Sequence, residues 1–398
     1  MFMKKCSFVK FIRVHDKISN EFNYQFIKNV NLRDSFSEIP TSMHEFLGIT
    51  FTNFDDIDSN TNIIIAIDCV DITDKFKIEF KKFVDSLNCK AIFVDFATYD
   101  EQEISEESFD IVESLIDRPC YFISKNLLQN RPNHFYFEVL FYHHINHIRD
   151  IPRYINSYRH LKLSQRNLWA KNKAFYYPGH IRFHKVKFLN FLHENDFLKD
   201  IIWSCTGLDF EKALFDDFVP PEFKDEFFTF DVLKLLPKRI DFDIFSSDTY
   251  NQRGGITNLI TYLDTYFEFV PETRFYNQLG LGGSKKTQKS WNNISEKTIK
   301  PTCLSHPFIQ LTKPNTISTL ENFGLKYKFD FWDFHYDSIE DDTERMLTIQ
   351  NFTKKVMNMS HQELREFNND YYFFSKNNYE ILLNDVYKKS IVDIYNAF

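Results

Sequence analysis

The sequence predicts an α/β protein of two domains, and three observations support that prediction. The chain has 398 residues, whereas a single hydrophobic core rarely grows beyond about 250–300 residues. Hydrophobic residues make up 43% and charged residues 26% of the chain, the balance of an ordinary folded protein. Short apolar runs alternate with helix-length segments in both halves, which is typical of parallel sheets flanked by helices. We place the two domains at residues 1–165 and 166–398.

Three apolar runs in the first domain predict buried strands: Asn62–Asp68, Ala91–Asp95 and Cys120–Ser124. The segments between them are helix-like and predict helices at Asp74–Leu87 and Ser105–Ile116. Continuous apolar strands joined by helices of this length indicate a parallel sheet that is covered on both faces.

The second domain repeats the alternation after a polar stretch. Four further runs predict strands, namely Ala174–Tyr177, Ile201–Ser204, Tyr266–Val270 and Pro307–Leu311. Helices are predicted at His184–Asn195, at Thr316–Phe323, up to Met357, and throughout 360–398. The spacing from Ser338 to Asp341 resembles a capping box at the start of the helix that ends at Met357. Because ligands of open α/β sheets bind at the carboxyl ends of the strands, we expect the site there.

Composition excludes several classes of protein. The longest strongly apolar run, Ile63–Val70, contains Asp68 and is far shorter than the about 20 apolar residues of a membrane-spanning helix. The segment Met1–Ile12 lacks the apolar core of a signal peptide. The six cysteines form no CxxC pair, which argues against a zinc site or a disulfide framework and for a reducing cytoplasm. His143 and His147 have metal-pair spacing without an evident third ligand, so we expect no metal.

The segment from His143 to Lys187, here called the basic belt, is unusual in an acidic chain. It contains ten Lys or Arg and one acid, although the whole chain has a net charge of −8. Aromatic rings are interleaved with the cations, a pattern that suits a polyanion because phosphates attract the cations and rings stack on an extruded base. The candidates for acceptor binding are Arg159, Arg166 and Lys171. The alternative is that the belt neutralises acids at the domain interface.

The strongest motif lies in Ser295–Leu311, with the sequence SEKTIKPTCLSHPFIQL, and continues to Gly324. This stretch resembles the segment EKT-x-KP … PFI … L-x-x-x-GF of phage and bacterial glycosyltransferases of the GT-B type. Upstream, Phe267–Thr273 is similar to the family's strand that ends in V-x-E-T/S. Downstream, Phe329–Asp337 and the segment 341–345 are similar to its TF … DE-x-YD … D … R.

A fourth segment, Tyr176–Lys185, resembles the N-x-x-x-R-x-HR entry to the second domain of that family. His180 and Lys185 depart from the family's Asn and Arg. The ordered series of motifs covers roughly residues 174–358, and the first domain matches only in its alternation of strands and helices.

The resemblance implies two Rossmann-like domains that face a cleft and bind a nucleotide-sugar donor. We expect a UDP-sugar and no further cofactor. The resemblance implies that Glu296 binds the ribose diol, since a carboxylate can accept two hydrogen bonds from it. Lys297 or Lys300 would neutralise the departing diphosphate. The alternative for Glu296 is a capping acid in the first turn of a helix with Asn293 as N-cap.

Further candidates for donor binding lie around this motif. Thr298 belongs to it, and Arg182 is the candidate for a second phosphate ligand, with a surface arginine of the basic belt as the alternative. Glu268 and Glu272 are four apart at the end of one predicted strand, so they share a face. Either one of them, Glu272 foremost, meets the sugar hydroxyls, or both belong to a solvated strand end.

A general base for an inverting transfer should come from the first domain. Asp68 and Asp95 each end an apolar strand and would take the proton of the acceptor hydroxyl. The sequence does not choose between them, and either could be a helix-capping acid.

The function expected from these residues is transfer of a sugar from a nucleotide-sugar donor to a hydroxyl acceptor. Because phage DNA glycosyltransferases use this fold on hydroxymethylated pyrimidines, modified phage DNA is one acceptor and a cell-surface glycan is the other. The expected location is the cytoplasm of a bacterium or of a phage-infected host. A different class stays open, namely a non-catalytic nucleic-acid-binding module on a degenerate glycosyltransferase scaffold.

Overall fold

A computed structural model describes residues 6–16, 21–28, 51, 53–68, 72–96, 106–124, 131–136, 151–165, 170–178, 181–205, 223–238, 259–272, 275–276 and 294–397. The chain divides into two compact units. Unit 1 comprises Met1–His143 and Asn384–Phe398, and unit 2 comprises His144–Leu383. The division therefore falls before residue 165, and the chain end joins unit 1. The α/β class with parallel sheets is confirmed, whereas the face-to-face arrangement of a GT-B protein stays a prediction.

Unit 1 contains a six-stranded sheet. Its strands are β1 (Cys6–Asp16), β2 (Glu21–Lys28), β3 (Asn62–Asp68), β4 (Ala91–Asp95), β5 (Cys120–Ser124) and β6 (His134–Tyr136). The order is β2-β1-β3-β4-β5-β6, in which only the β1–β2 pair is antiparallel. The three strands expected from the sequence are confirmed with their bounds.

Two helices of unit 1 follow β3 and β4, namely α1 (Asp74–Asp85) and α2 (Glu106–Ser114). Helix α1 begins where the Thr73 hydroxyl accepts a hydrogen bond from the backbone N–H of Phe76, which satisfies a free donor of the first turn. The helix buries Phe76 and Phe80, one turn apart, on its inner face.

Unit 2 contains a parallel sheet of four strands in the order β10-β9-β7-β8. The strands are β7 (Ala174–Tyr176), β8 (Ile201–Trp203), β9 (Phe267–Pro271) and β10 (Phe308–Leu311). Its helices are α3 (Ile151–Gln165), α4 (Phe183–Glu194), α5 (Lys224–Phe228), α6 (Leu259–Leu263), α7 (Glu296–Leu304), α8 (Thr316–Glu321), α9 (Asp342–Met357), α10 (His361–Ser375) and α11 (Asn378–Glu380). A π-helix (Ile381–Lys388) then leads to α12 (Lys389–Ala397) in unit 1.

The winding of this sheet reverses between β7 and β9. From β7 the chain passes through α4 to β8 on one side, and from β9 it passes through α7 to β10 on the other. Helix α4 lies on the face of Phe269, whose ring contacts Phe188. Helix α7 lies on the opposite face, where Thr298 contacts Gln310, the neighbour of the residue that pairs with Phe269. Such a switch point opens a crevice at the carboxyl ends of the two central strands.

The start of α9 corrects one expectation. Ser338 ends a 3₁₀ turn, and the N-cap of α9 is Asp341, whose side chain accepts from the backbone N–H of Glu344. A capping box does occur one helix later, at Ser360 and Glu363. A serine with an acid three residues later occurs at Ser338 and again at Ser360. Packing therefore decides which of these serines caps a helix.

Strand β10 lies at one edge of the sheet of unit 2, and two side chains occupy its outer backbone groups. The indole Nε1 of Trp332 donates to the carbonyl of Phe308 at 2.9 Å. The backbone N–H of Gln310 donates to the Tyr336 hydroxyl at 3.0 Å. Among the described helices, none is long and apolar enough to cross a membrane.

Candidate functional site

Glu272 lies directly after β9 and fixes the start of α7. Its carboxylate is fully buried. Oε1 accepts from the backbone N–H of Ser295 at 3.1 Å, Oε2 accepts from the Ser295 hydroxyl at 2.5 Å, and the Thr298 hydroxyl donates to Oε1. Thr298 in turn accepts from Nε2 of Gln310 at 2.7 Å. The carboxylate therefore holds the first turn of α7 against the carboxyl ends of β9 and β10.

The same residue also holds the start of α4. The backbone carbonyl of Glu272 accepts a hydrogen bond from Nε2 of His184 at 3.0 Å. Burial, and next the nearby Lys185, lower the pKa of His184 well below its usual value, so its imidazole is neutral and carries its proton on Nε2. The two helices that begin at the switch point are thus tied to one residue, Glu272.

Cations are concentrated at these two helix starts. Arg182 is the N-cap of α4 and makes no side-chain capping bond, and the first turn of α4 contains no acid. Lys185 lies in that turn, is buried, and donates to the carbonyl of Pro178 at 2.8 Å. At the start of α7, Nζ of Lys297 donates to the Ser295 hydroxyl at 3.2 Å. Cations at the positive end of a helix dipole are unfavourable by themselves, so the start of α4, which has no acid in its first turn, favours an anion.

Arg345 holds the segment that follows Glu272 in place, a role that its sequence context did not indicate. Its guanidinium is 1% exposed and lies 4.5 Å from the ring centroid of Phe275. It donates to the carbonyls of Phe275, Thr312 and two further residues and pairs with Asp342. Phe275 stacks on His184, with centroids 5.5 Å apart. Arg345 therefore joins the ends of β9 and β10 to the start of α9.

Asp337 has a corresponding role after β10 and was also missed. Its carboxylate accepts from the backbone N–H groups of Ile317 and Ser318 at 3.0 and 2.9 Å, and from the Ser318 hydroxyl at 2.9 Å. The start of α8 is thus already neutralised by an acid of the chain. Glu272 has the same role at the start of α7, where Lys297 also lies. The start of α4 differs, because it has cations and no acid in its first turn.

Glu268 is the second residue of β9 and is buried. The Tyr262 hydroxyl donates to its Oε2 at 3.3 Å. Burial raises the pKa of Glu268 well above its usual value and so favours the protonated form of the side chain. A solvated strand end was therefore the wrong alternative for Glu268 and Glu272, because both are buried. Contact of either carboxyl group with a sugar stays a prediction, and the structure gives Glu272 a positioning role.

Helix α7 begins at Glu296, whose side chain lies outside the described residues. Its N-cap is Ser295 and not Asn293. Thr298 is buried between Glu272 and Gln310, so it orders the helix start. Lys297 and Lys300 both lie close enough to Glu268 to lower its pKa, against the larger effect of burial. Ribose and diphosphate binding by Glu296, Lys297 and Lys300 stays a prediction.

The basic belt is largely occupied by internal partners where the structure describes it. Arg159 donates to Glu380 at 2.8 Å and to the carbonyl of Lys376 at 3.0 Å. Lys162, Lys173 and Lys187 contact Asn368, the Met357 carbonyl and Glu226, respectively. The side chain of Lys171 is 80% exposed, and its ammonium lies 3.8 Å from Asp264. Arg166 and the histidines at 143 and 147 lie outside the described residues.

These contacts give the belt a testable structural role. Arg159→Glu is expected to lower the free energy of unfolding by about 1–2 kcal/mol, because the new carboxylate faces Glu380. Lys171→Glu, the control, should change it by about 0.5 kcal/mol or less. Urea denaturation measures both. Equal stability of the two variants would contradict the internal role and favour an acceptor role for Arg159.

The two candidate bases end neighbouring strands of unit 1. Asp95 is fully buried at the end of β4 and pairs with Ala66 of β3. Asp68 follows two positions beyond Ala66, and its side chain lies outside the described residues. The choice between the two stays open.

Among the described residues, no group of three or more His, Cys, Asp or Glu side chains could hold a metal ion. The chain matches no family model, no curated protein and no solved structure. Function is therefore inferred from the switch point, its two helix starts and the chemistry of their side chains.

Proposed function

We propose that this protein is a glycosyltransferase that binds a nucleoside diphosphate sugar at the switch point of unit 2. The observation that carries the proposal is the joining of two helix starts by Glu272, with Arg182, Lys185 and Lys297 beside them. Backbone N–H groups at helix starts and cationic side chains are the groups that hold phosphates. The motif around Glu296 supports a nucleotide rather than a free phosphate.

The same arrangement suits the departure of the leaving group. When the bond between the sugar and the diphosphate breaks, negative charge grows on the β-phosphate oxygen. Preorganised cations and helix dipoles stabilise that charge without reorganisation. Arg182 and Lys297 are the side chains for this role, and Lys300 lies one turn further along α7. Glu296 would accept hydrogen bonds from the ribose diol.

The acceptor is a hydroxyl compound, deprotonated by Asp68 or Asp95 if the transfer inverts the sugar. The occupied cations of the basic belt do not favour DNA over a glycan. UDP is the first donor nucleotide to test, and no further cofactor is part of the proposal.

Calorimetric titration with UDP, GDP, ADP, CDP and TDP tests the donor site. We expect the wild type to bind one of them, and Arg182→Ala and Lys297→Ala each to bind it about 10- to 100-fold more weakly, since each loses a charged hydrogen bond. Lys199→Ala is the matched control, because Lys199 is exposed and pairs with Asp196.

Failure of the folded wild type to bind any nucleoside diphosphate would overturn the proposal. Binding without hydrolysis or transfer from the matching nucleotide sugar would leave the non-catalytic module as the better description. Hydrolysis that Lys297→Ala reduces would support the enzyme.

A further inference from the structure

A group of polar side chains lies between α3, α6 and the segment that leads into β10; Tyr158, Tyr262 and His306 are buried, and Lys162 is half-buried. Tyr158 and Lys162 are one turn apart on α3 and share a face. Tyr262 belongs to α6, and its ring meets His306 edge to face, with centroids 5.1 Å apart. Lys162 acts electrostatically on His306, and Tyr158 on Tyr262. The ring contact and these electrostatic influences define one cluster, here called the α3 cluster: Tyr158, Lys162, Tyr262 and His306.

Two members of the α3 cluster have polar atoms without hydrogen bonds. Tyr158 and His306 have no exposed surface. In the described part of the chain, neither the Tyr158 hydroxyl nor either ring nitrogen of His306 makes a hydrogen bond of normal geometry. The ring of His306 does lie near the Phe267 backbone, a minor influence on its pKa. A buried polar group left unsatisfied costs about 1–3 kcal/mol, so such groups are rare without a reason.

Lys162 is the third unusual member. Its ammonium donates to the amide oxygen of Asn368, a neutral partner, and no described carboxylate forms an ion pair with it. Burial lowers the pKa of Lys162 to about 7. Burial also raises the pKa of Glu268, which accepts a hydrogen bond from Tyr262, and so favours its neutral form. The half-buried ammonium of Lys162 is thus only partly solvated and has no negative side chain beside it among the described residues, which disfavours its charged form.

One bound ligand would account for all of these observations. A small anion would balance the charge of Lys162 and would accept hydrogen bonds from the Tyr158 hydroxyl and from one His306 N–H. A water molecule would satisfy hydrogen bonds but would leave the charge unbalanced. The amide of Asn368 also donates to the carbonyl of Tyr266 at 2.5 Å, which fixes its oxygen toward Lys162.

We infer that the α3 cluster is a structural binding site for a small monovalent anion such as chloride. Lys162 supplies the charge, Tyr158 and His306 supply neutral donors, and Asn368 orients the ammonium. This inference does not depend on the proposed function. Because the anion binds the folded chain alone, it stabilises the fold by mass action.

Thermal unfolding at constant ionic strength tests the site, with sodium chloride replaced stepwise by sodium gluconate. We expect the wild-type Tm to rise by about 3–5 °C when the chloride concentration is near ten times its dissociation constant. Lys162→Met should lose this response while remaining folded, since methionine fills the space without a charge. Lys199→Met, a surface control, should keep it. A chloride response of equal size in wild type and Lys162→Met, or none in wild type, would overturn the inference.

A second measurement does not depend on a variant. A crystal of the wild type soaked in sodium bromide should show an anomalous peak in contact with Nζ of Lys162, the Tyr158 hydroxyl and His306. Density there without anomalous signal would identify a water molecule and would overturn the inference.

Discussion

Glu272→Gln is expected to lower the free energy of unfolding by about 3–5 kcal/mol and to remove nucleoside diphosphate binding. The carboxylate accepts three hydrogen bonds from Ser295 and Thr298 without exposure to water. An amide replaces one acceptor oxygen by a donor, which would face the N–H or hydroxyl donors at the start of α7. Urea denaturation and calorimetric titration of the same preparation measure the two effects.

Glu268→Gln is the matched control, because it changes the same residue type four positions earlier, within β9. Since burial raises the pKa of Glu268 and favours its neutral form, glutamine resembles that form. The sign of the pH effect follows from linkage. As pH rises above the ordinary pKa of glutamate, the unfolded wild type releases a proton that the folded chain retains, so wild-type stability falls. The variant lacks this loss, so its stability relative to wild type should grow from pH 4 to pH 8.

Equal destabilisation by the two glutamine substitutions would contradict the distinct roles assigned to these residues. A stable Glu272→Gln that still binds nucleotide would show that the start of α7 does not depend on its carboxylate.

Arg345→Lys is expected to cost about 3–5 kcal/mol of stability and to weaken nucleotide binding at least tenfold. A lysine has one ammonium, which cannot reach carbonyls in several directions while also packing flat on Phe275. Loss of this clamp would free the segment after Glu272, to which His184 is bonded. Denaturation and titration with the nucleotide identified for the wild type measure the outcome.

Lys355→Met is the control for this variant. Lys355 lies on the same helix, α9, and its ammonium is 5.0 Å from the ring centroid of Phe331, a contact worth about 0.5–1 kcal/mol. If Arg345→Lys were no more harmful than Lys355→Met, the guanidinium would not be the clamp.

The sequence predicted three of the six strands of unit 1 and the four strands of unit 2, because each of these is a short apolar run between polar segments. Strands β1, β2 and β6 were missed. The runs Asn62–Asp68, Ala91–Asp95 and Cys120–Ser124 match the observed bounds. Helix bounds were less accurate, since a helix begins where a specific side chain reaches a free N–H group. The displaced start of α9 is an example, because both Ser338 and Asp341 have suitable side chains and only packing distinguishes them.

The sequence indicated which residues belong to the candidate site but not which residues they contact. Glu272 and Ser295 are separated by 23 positions, and His184 and Glu272 by 88, so no local pattern connects them. The charge of Arg159 was visible in the sequence, whereas its partner Glu380 lies 221 positions away. Arg345 differs from a surface arginine only through the carbonyl groups that the fold brings to it. These pairings depend on the order of the strands.

The outward-facing backbone N–H and C=O groups of β10 also determine whether another strand can add to this sheet. Edge strands usually offer free N–H and C=O groups to which a peptide, or the edge of a second copy, can add a new strand. Here the Trp332 indole and the Tyr336 hydroxyl already occupy the carbonyl of Phe308 and the N–H of Gln310. A partner strand would have to displace both side chains from the core to form its ladder. Self-association of unit 2 through this edge is therefore disfavoured, and the aromatic pair protects the chain against amyloid-like stacking there.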